Sequence, residues 1–189
     1  MLKKQARDIY REKRLALSIA ESTKLDDLIL IHFQSADLPF LNTLLSYWPI
    51  EENNEPNTHL ATEFLRFRNP ELKIAYPVAD FATGTMIAVA VDIDTAFTKK
   101  NLNIFEPNDG TSVPVGEIDM VIVPLLIADQ RGYRVGYGKG FYDKYLSECR
   151  EDCIKVGLCY FEPIAAIEDC NEFDVPLNLC ITPQTVYVF

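Results

Sequence analysis

A layered α/β fold, with a mainly parallel sheet flanked by helices, is what the sequence predicts. Three observations carry that reading. Apolar or β-branched runs alternate along the chain with stretches of helical periodicity. The run from Ile118 to Pro124 is almost continuously apolar, as a central parallel strand covered on both faces requires. Directly after it, four of the eight glycines fall within nine residues and lead into a helical pattern. In folds of this kind ligands sit beyond the carboxyl ends of the strands.

Taken in order, residues 2–17 predict a helix. Leu2, Ala6, Ile9, Ala16 and Leu17 can share an apolar stripe, while Lys3, Arg7, Arg11 and Arg14 recur on another face. Ser18 followed by Glu21 is a capping-box pair that stops this helix and starts a second through about Gln34. Strands are expected from the runs 43–49, 73–78, 85–92, 118–126, 154–160 and 179–182, and helices at 58–68 and 141–150. With 189 residues, no internal repeat and no low-complexity linker, one domain spanning 1–189 is expected.

Composition narrows the function classes. Hydrophobic residues make up 48% and charged residues 24%, enough for a packed core. The formal net charge of −10 argues against broad binding to nucleic acid or anionic membranes, which need a cationic face. The cations are concentrated: six Lys/Arg stand against Asp8 and Glu12 in residues 1–14, and four against Asp143 in residues 131–144. That distribution suits one small polyanion. The charged start has no apolar h-region, no run approaches the roughly 20 residues of a membrane helix, and five cysteines give no disulfide framework. Cytoplasm with reduced thiols is the expected compartment, and Cys149 with Cys153 lacks the partners of a zinc site.

The glycine segment holds Gly132, Gly136, Gly138 and Gly140, with Arg134 and Lys139 among them, before a helix beginning near Phe141. Glycines let backbone approach a ligand, a helix start offers free N–H groups, and the two cations add charge: the requirements of a phosphate cradle. Walker A does not fit, because Gly132 to Gly138 is one residue too long and Gly140 stands where the Mg-binding hydroxyl belongs. The dinucleotide fingerprint fails too, since Gly136, Gly138 and Gly140 lack its second spacing.

What the segment resembles is the signature of the 5-formyltetrahydrofolate cyclo-ligase family, V-P-x-x-x-F-D-x-x-G-x-R-L-G-x-G-x-G-[YF]-Y-D. Val123, Pro124, Asp129, Gly132, Arg134, Gly136, Gly138, Gly140, Phe141, Tyr142 and Asp143 match it, with Ala128 in place of Phe and Val135 in place of Leu. The likeness continues elsewhere. Lys3 and Arg7 resemble the family's K-x-x-x-R, Glu55 to Thr58 its E-[IV]-x-T, and Asn103 to Pro107 its G-I-x-E-P with Asn103 replacing glycine. Near the end, Glu172, Phe173 and Asp174 are similar to x-[HN]-D, with Phe173 departing from the pattern and Asn178 standing where an Asp is common.

The resemblance implies a three-layer fold of the ribose-5-phosphate isomerase and CoA-transferase type. It implies ATP- and Mg²⁺-dependent conversion of 5-formyltetrahydrofolate to 5,10-methenyltetrahydrofolate, with ADP and phosphate released, in one-carbon metabolism. The substrate supplies the nucleophiles, so the protein has to position groups and neutralise charge. On this reading Lys139, Arg134 and Tyr142 are catalytic. ATP is held by Lys3, Arg7 and the stretch Arg134, Val135, Gly136, Tyr137, Gly138, Lys139, Gly140, Phe141 and Tyr142. Trp48, Glu55 and Tyr142 take the folate, Glu55 by accepting hydrogen bonds from the pterin's amino group and ring N–H. Asp143 and Asp174 hold Mg²⁺. Neither histidine is expected to be a base: His32 lies within an apolar helix, and His59 follows an N-cap and is read as solvated. The expected partners are the two small substrates, with no nucleic acid or membrane, in a monomer or else a dimer. The rival readings are a folate- or nucleotide-binding module without turnover, and an ATP-dependent enzyme on another small substrate.

Overall fold

The computed structural model describes all residues, 1–189. Helix α1 (Lys3–Leu15) opens the chain and α2 (Ile19–Ser35) follows. The capping box between them is formed: Ser18 Oγ accepts from Glu21 N at 3.3 Å, and Ser18 N donates to the Glu21 carboxylate at 2.8 Å. Two otherwise orphaned helix-start donors are thereby satisfied. The chain continues through β1 (Thr43–Leu45), α3 (Thr58–Arg68), β2 (Lys73–Asp80) and β3 (Thr85–Val91). Next come three short strands, β4 (Phe97–Lys99), β5 (Phe105–Pro107) and β6 (Thr111–Val113), and then β7 (Met120–Val123). A small hairpin of β8 (Ile127–Ala128) and β9 (Arg134–Val135) leads into α4 (Phe141–Glu148). The chain ends with β10 (Ile154–Leu158), β11 (Leu179–Ile181) and β12 (Val186–Val188).

Eight strands form one sheet in the order β12-β11-β10-β7-β1-β2-β3-β6. Its heart is parallel: β2, β1, β7, β10 and β11 all run the same way, while β12, β3 and β6 add antiparallel margins. The two-residue period of a strand divides the core in two. Leu44, Met120, Ile122, Val156 and Leu158 point to the face covered by Ile29 and Phe33 of α2 and by Ala61 and Leu65 of α3. Leu45, Val121 and Val123 point to the face covered by Ala6 and Tyr10 of α1 and by Tyr145 and Leu146 of α4. Every residue of β7 is fully buried, which is why its sequence carries no polar alternation. Helices on both faces of a mainly parallel sheet are the architecture the alternating pattern predicts.

Some local expectations are corrected. The inward face of α1 is Ala6, Tyr10 and Arg14; Leu2 and Ile9 of the expected apolar stripe are 43% and 39% exposed. The helix turns its cationic face toward the interior of a pocket, so its burial follows the ligand-facing side and not the simplest apolar count. Strand pairing at 43–49 stops at Leu45, and at 118–126 it is confined to 120–123 because Pro124 lacks the N–H to continue a ladder. The hairpins β4–β5 and β8–β9 are too short to show a period in sequence. No helix is long and apolar enough to cross a membrane.

Candidate active site

A cavity of about 740 Å³ opens beyond the carboxyl ends of β1, β2 and β7, where α/β sheets place their ligands. Tyr47 and Trp48 enter it after β1, Pro77 and Ala79 from the end of β2, and Pro124 after β7. Its other walls are α1, the glycine segment and the start of α4. Every residue expected to act lines this one cavity: Lys3, Arg7, Trp48, Glu55, Arg134, Val135, Gly136, Tyr137, Gly138, Lys139, Gly140, Phe141, Tyr142, Asp143 and Asp174.

The glycine segment is built around Asp129, whose carboxylate is wholly buried. It accepts from the backbone N of Arg131 at 2.9 Å, Tyr133 at 3.1 Å and Ile167 at 2.9 Å, and from the Arg131 guanidinium at 2.7 Å. This part of the signature shapes the β8–β9 hairpin and lies outside the cavity. After β9 the chain passes Gly138 and Gly140 in left-handed conformation, with φ of 83° and 75°. Gly140 is the N-cap of α4, and no side chain caps that end, so the first N–H groups of the helix face the cavity mouth. Arg7 Nε donates to Gly136 O at 2.9 Å, and a Cβ on Gly138 would lie 3.1 Å from Arg7 Nη2. Gly138→Ala therefore crowds Arg7 and strains a positive φ by about 1–2 kcal/mol. The expectation that this segment cradles ATP predicts an approximately tenfold loss of affinity for a non-hydrolysable ATP analogue by calorimetry. Unaltered affinity would refute the close approach as a functional requirement.

Lys139 stands exposed at the mouth and makes no hydrogen bond or ion pair. Arg134 and Lys3 are tied. Arg134 is almost fully buried, donating to Val175 O and, at 3.0 Å, to Asp143 Oδ1; burial depresses its basicity, while Asp143 opposes that. Lys3 Nζ lies 2.5 Å from Asp174 Oδ2, which also accepts from Asn171 N at 2.7 Å. Asp143 Oδ1 additionally accepts from Val175 N at 3.1 Å, leaving its Oδ2 without a protein partner. Two cations thus neutralise two carboxylates at the same end of the cavity.

Glu55, in the same lining, is 8% exposed. Its Oε2 accepts from Ile50 N at 2.7 Å and its Oε1 from the Tyr137 hydroxyl, while Arg14 Nη2 lies 4.0 Å from Oε1. Burial holds the Glu55 carboxyl above its ordinary value, and the bonds from Ile50 and Tyr137 with the Arg14 charge oppose that only in part. Glu55 is no exposed loop acid: with two donors on its oxygens, each oxygen keeps one lone pair for a ligand. Tyr142 presents a buried hydroxyl with no partner, and burial pushes its phenol well above the ordinary range. Trp48 belongs to an aromatic wall, its ring 4.7 Å from Phe97, 5.2 Å from Phe105 and 6.4 Å from Tyr76. The expectation that His59 is solvated is overturned. It packs edge-on against Trp48 at 4.7 Å, and burial holds its pKa below the usual histidine value.

The replacements for family-pattern residues are accommodated. Asn103 keeps a left-handed φ of 62°, a conformation Asn tolerates better than most residues. Ala128 is fully buried in β8, and Phe173 is 74% exposed. The residue roles assigned from sequence omit Arg11, which lines the cavity one turn beyond Arg7, and Arg14, which is buried one turn further. The spacing Lys3, Arg7, Arg11, Arg14 carries the signal for both, since residues three and four apart share a helix face.

Comparison with known proteins agrees with this geometry. The family model described as "5-formyltetrahydrofolate cyclo-ligase family" matches residues 9–183. A 5-formyltetrahydrofolate cyclo-ligase of Mycoplasma pneumoniae is 30% identical over 177 residues, covering 92% of this chain and 93% of that protein. The Escherichia coli K12 protein of the same name is 28% identical over 117 residues, or 57% of this chain and 60% of that one. Among solved structures, a 5,10-methenyltetrahydrofolate synthetase of Aquifex aeolicus superposes with a TM-score of 0.78 at 26% identity, covering all of this chain and 93% of its own. The corresponding M. pneumoniae synthetase gives 0.75 at 26% identity over 97% and 99%. With the glycine segment, the carboxylates and Glu55 gathered in one cavity, and with a match that spans nearly the whole sequence, the chain belongs to the 5-formyltetrahydrofolate cyclo-ligase family of ligases.

Proposed function

We propose that the protein converts 5-formyltetrahydrofolate to 5,10-methenyltetrahydrofolate at the expense of ATP. The observation that carries the reading is the make-up of the cavity lining. Lys139, the glycines and the open start of α4 suit a triphosphate. Glu55, Tyr142 and the Trp48 wall suit a flat heterocycle with N–H donors. In the reaction, the formyl oxygen attacks the γ-phosphorus as the bond to the β–γ bridging oxygen breaks, releasing ADP. N10 then attacks the activated formyl carbon, phosphate departs with the former formyl oxygen, and N10 gives up its proton. Lys139 meets the transferred group, and Arg7, Lys3 and Arg134 hold the rest of the triphosphate. Glu55 accepts from the pterin, and the orphan Tyr142 hydroxyl is satisfied by the bound substrates.

Asp143 and Asp174 fit a Mg²⁺ that takes one or two carboxylates and completes its shell with phosphate oxygens and water. The fit rests on the unpartnered Asp143 Oδ2 beside Asp174 in the same cavity. Protein groups alone do not complete a shell, since no cluster of three or more His, Cys, Asp or Glu is formed. Bound there, the ion would neutralise charge developing on the phosphates. Lys3 would transfer from Asp174 to a phosphate oxygen. The parallel-sheet core is compatible with the ribose-5-phosphate isomerase and CoA-transferase type that the sequence resembles. The test is direct: protein, 5-formyltetrahydrofolate, ATP and Mg²⁺ are mixed, and near-UV absorbance of the methenyl product is followed beside ADP release. Binding of both ligands without product identifies a binding module, and ADP release only with another substrate identifies a different enzyme.

A further inference from the structure

Arg14 is the one guanidinium that is 2% exposed. Its three nitrogens reach three separate segments, two of which line the cavity. Nε donates to Asn53 O at 2.8 Å, in the loop that carries Glu55; Nη1 donates to Leu125 O at 3.1 Å, just past β7; and Nη2 donates to the Tyr137 hydroxyl, in the glycine segment. Tyr137 in turn donates to Glu55 Oε1. The guanidinium thus fixes the Glu55 loop at Asn53 and reaches the Glu55 carboxylate through one phenol. A further anchor holds the same loop, because Asn54 Nδ2 donates to Arg14 O at 2.9 Å. A solvated cation on a helix face would satisfy none of these carbonyls, and a buried cation needs a counter-charge. Glu55 is the carboxylate that lies beside it.

We propose that Arg14 is a positioning residue: through Tyr137 it aims Glu55 and favours its carboxylate form, with its free lone pairs presented to the folate. The inference rests on the folate reading of the cavity and adds to it a residue that touches neither substrate. The groups around the Glu55 carboxyl are few. Arg14 faces it from α1, Tyr137 from the glycine segment, Tyr142 from α4, Tyr47 from the end of β1, and the Ile50 N–H from its own loop. Tyr160, whose hydroxyl bonds Asp26 at 2.9 Å, lies against the Glu55 backbone. Arg14 is the only cation among them. Removing it disfavours the carboxylate relative to the acid, so the proton is lost at higher pH.

The test is the pH dependence of kcat/KM for 5-formyltetrahydrofolate, read together with the ¹³C carboxyl titration of Glu55, whose resonance is identified by its loss in Glu55→Gln. In Arg14→Met the acid limb and the ¹³C midpoint both move up by about one unit or more, the size of effect a single adjacent cation produces. KM for the folate rises, and kcat on the high-pH plateau changes less. Arg14→Lys, which keeps the charge and loses the fork, returns the limb toward wild type. Tyr137→Phe, which keeps Arg14 and removes the relay together with its hydrogen bond to Glu55 Oε1, also moves it up. Should Arg14→Met not fold, Tyr137→Phe and Arg14→Lys still decide the matter. A lowered melting temperature with the limb and the ¹³C midpoint unmoved would overturn the proposal and leave Arg14 a purely structural anchor. A wild type that does not turn over 5-formyltetrahydrofolate overturns the folate reading instead, and the ¹³C titration still decides the coupling of Arg14 to Glu55.

Discussion

Lys139→Ala is expected to lower kcat by about 10²–10³-fold, the usual cost of removing one preorganised group from a developing anion, while leaving the melting temperature where it is. The contrast follows from its surroundings. Lys139 is exposed and bonded to nothing in the protein, so the fold loses no contact when it is truncated. The same ammonium stands at the mouth of the cavity, between the glycines proposed to approach the phosphates. Steady-state kinetics beside thermal unfolding checks both halves. Unchanged turnover removes the assigned role, and a large fall in melting temperature shows a structural duty that the contacts do not predict.

Glu55→Ala is expected to do the reverse, raising KM for the folate by about 10–100-fold and lowering stability as well. The affinity loss corresponds to unmaking hydrogen bonds to a charged group, each contributing about 1.5–3 kcal/mol. The stability loss comes from Arg14, left buried without its carboxylate. Breaking a buried pair in this way costs about 3–5 kcal/mol, which for a chain of this size is a fall of roughly 10 °C. KM for ATP should change far less, because Glu55 is assigned to the folate and Lys139 to the phosphates. Glu55→Gln separates the terms by preserving shape and removing charge. An ATP KM that rises as much as the folate KM would contradict the assignment of Glu55 to the folate.

The parts legible in the sequence were those with a period or a signature. The fully buried β7 was readable because four consecutive apolar residues have few other uses, and the start of α2 because Ser18 and Glu21 form their reciprocal bonds locally. The short hairpins β4–β5 and β8–β9 were not readable, since two or three residues per strand show no alternation and depend on the sheet beneath them. In the site, spacing alone located the glycine segment, and the resemblance assigned Glu55 and Asp174. Neither showed that Tyr137 turns its hydroxyl to Glu55, a contact between residues 82 positions apart. The Arg14 stripe was visible, but a helix face read alone defaults to solvent. Only the packing of α1 against the Glu55 loop turns that cation inward. The error at His59 has the same origin: the packing of Trp48 over α3 is tertiary, and no local signal announces it.

The central claim is that ATP activates the formyl oxygen of the folate for ring closure in this cavity. One reaction tests it: 5-formyltetrahydrofolate labelled with ¹⁸O in the formyl group is turned over with ATP and Mg²⁺, and the inorganic phosphate released is weighed by mass spectrometry. The account predicts one ¹⁸O in each phosphate, formed in step with the methenyl absorbance. Unlabelled phosphate accompanying the methenyl product, or ATP hydrolysis with the folate unchanged, would contradict it.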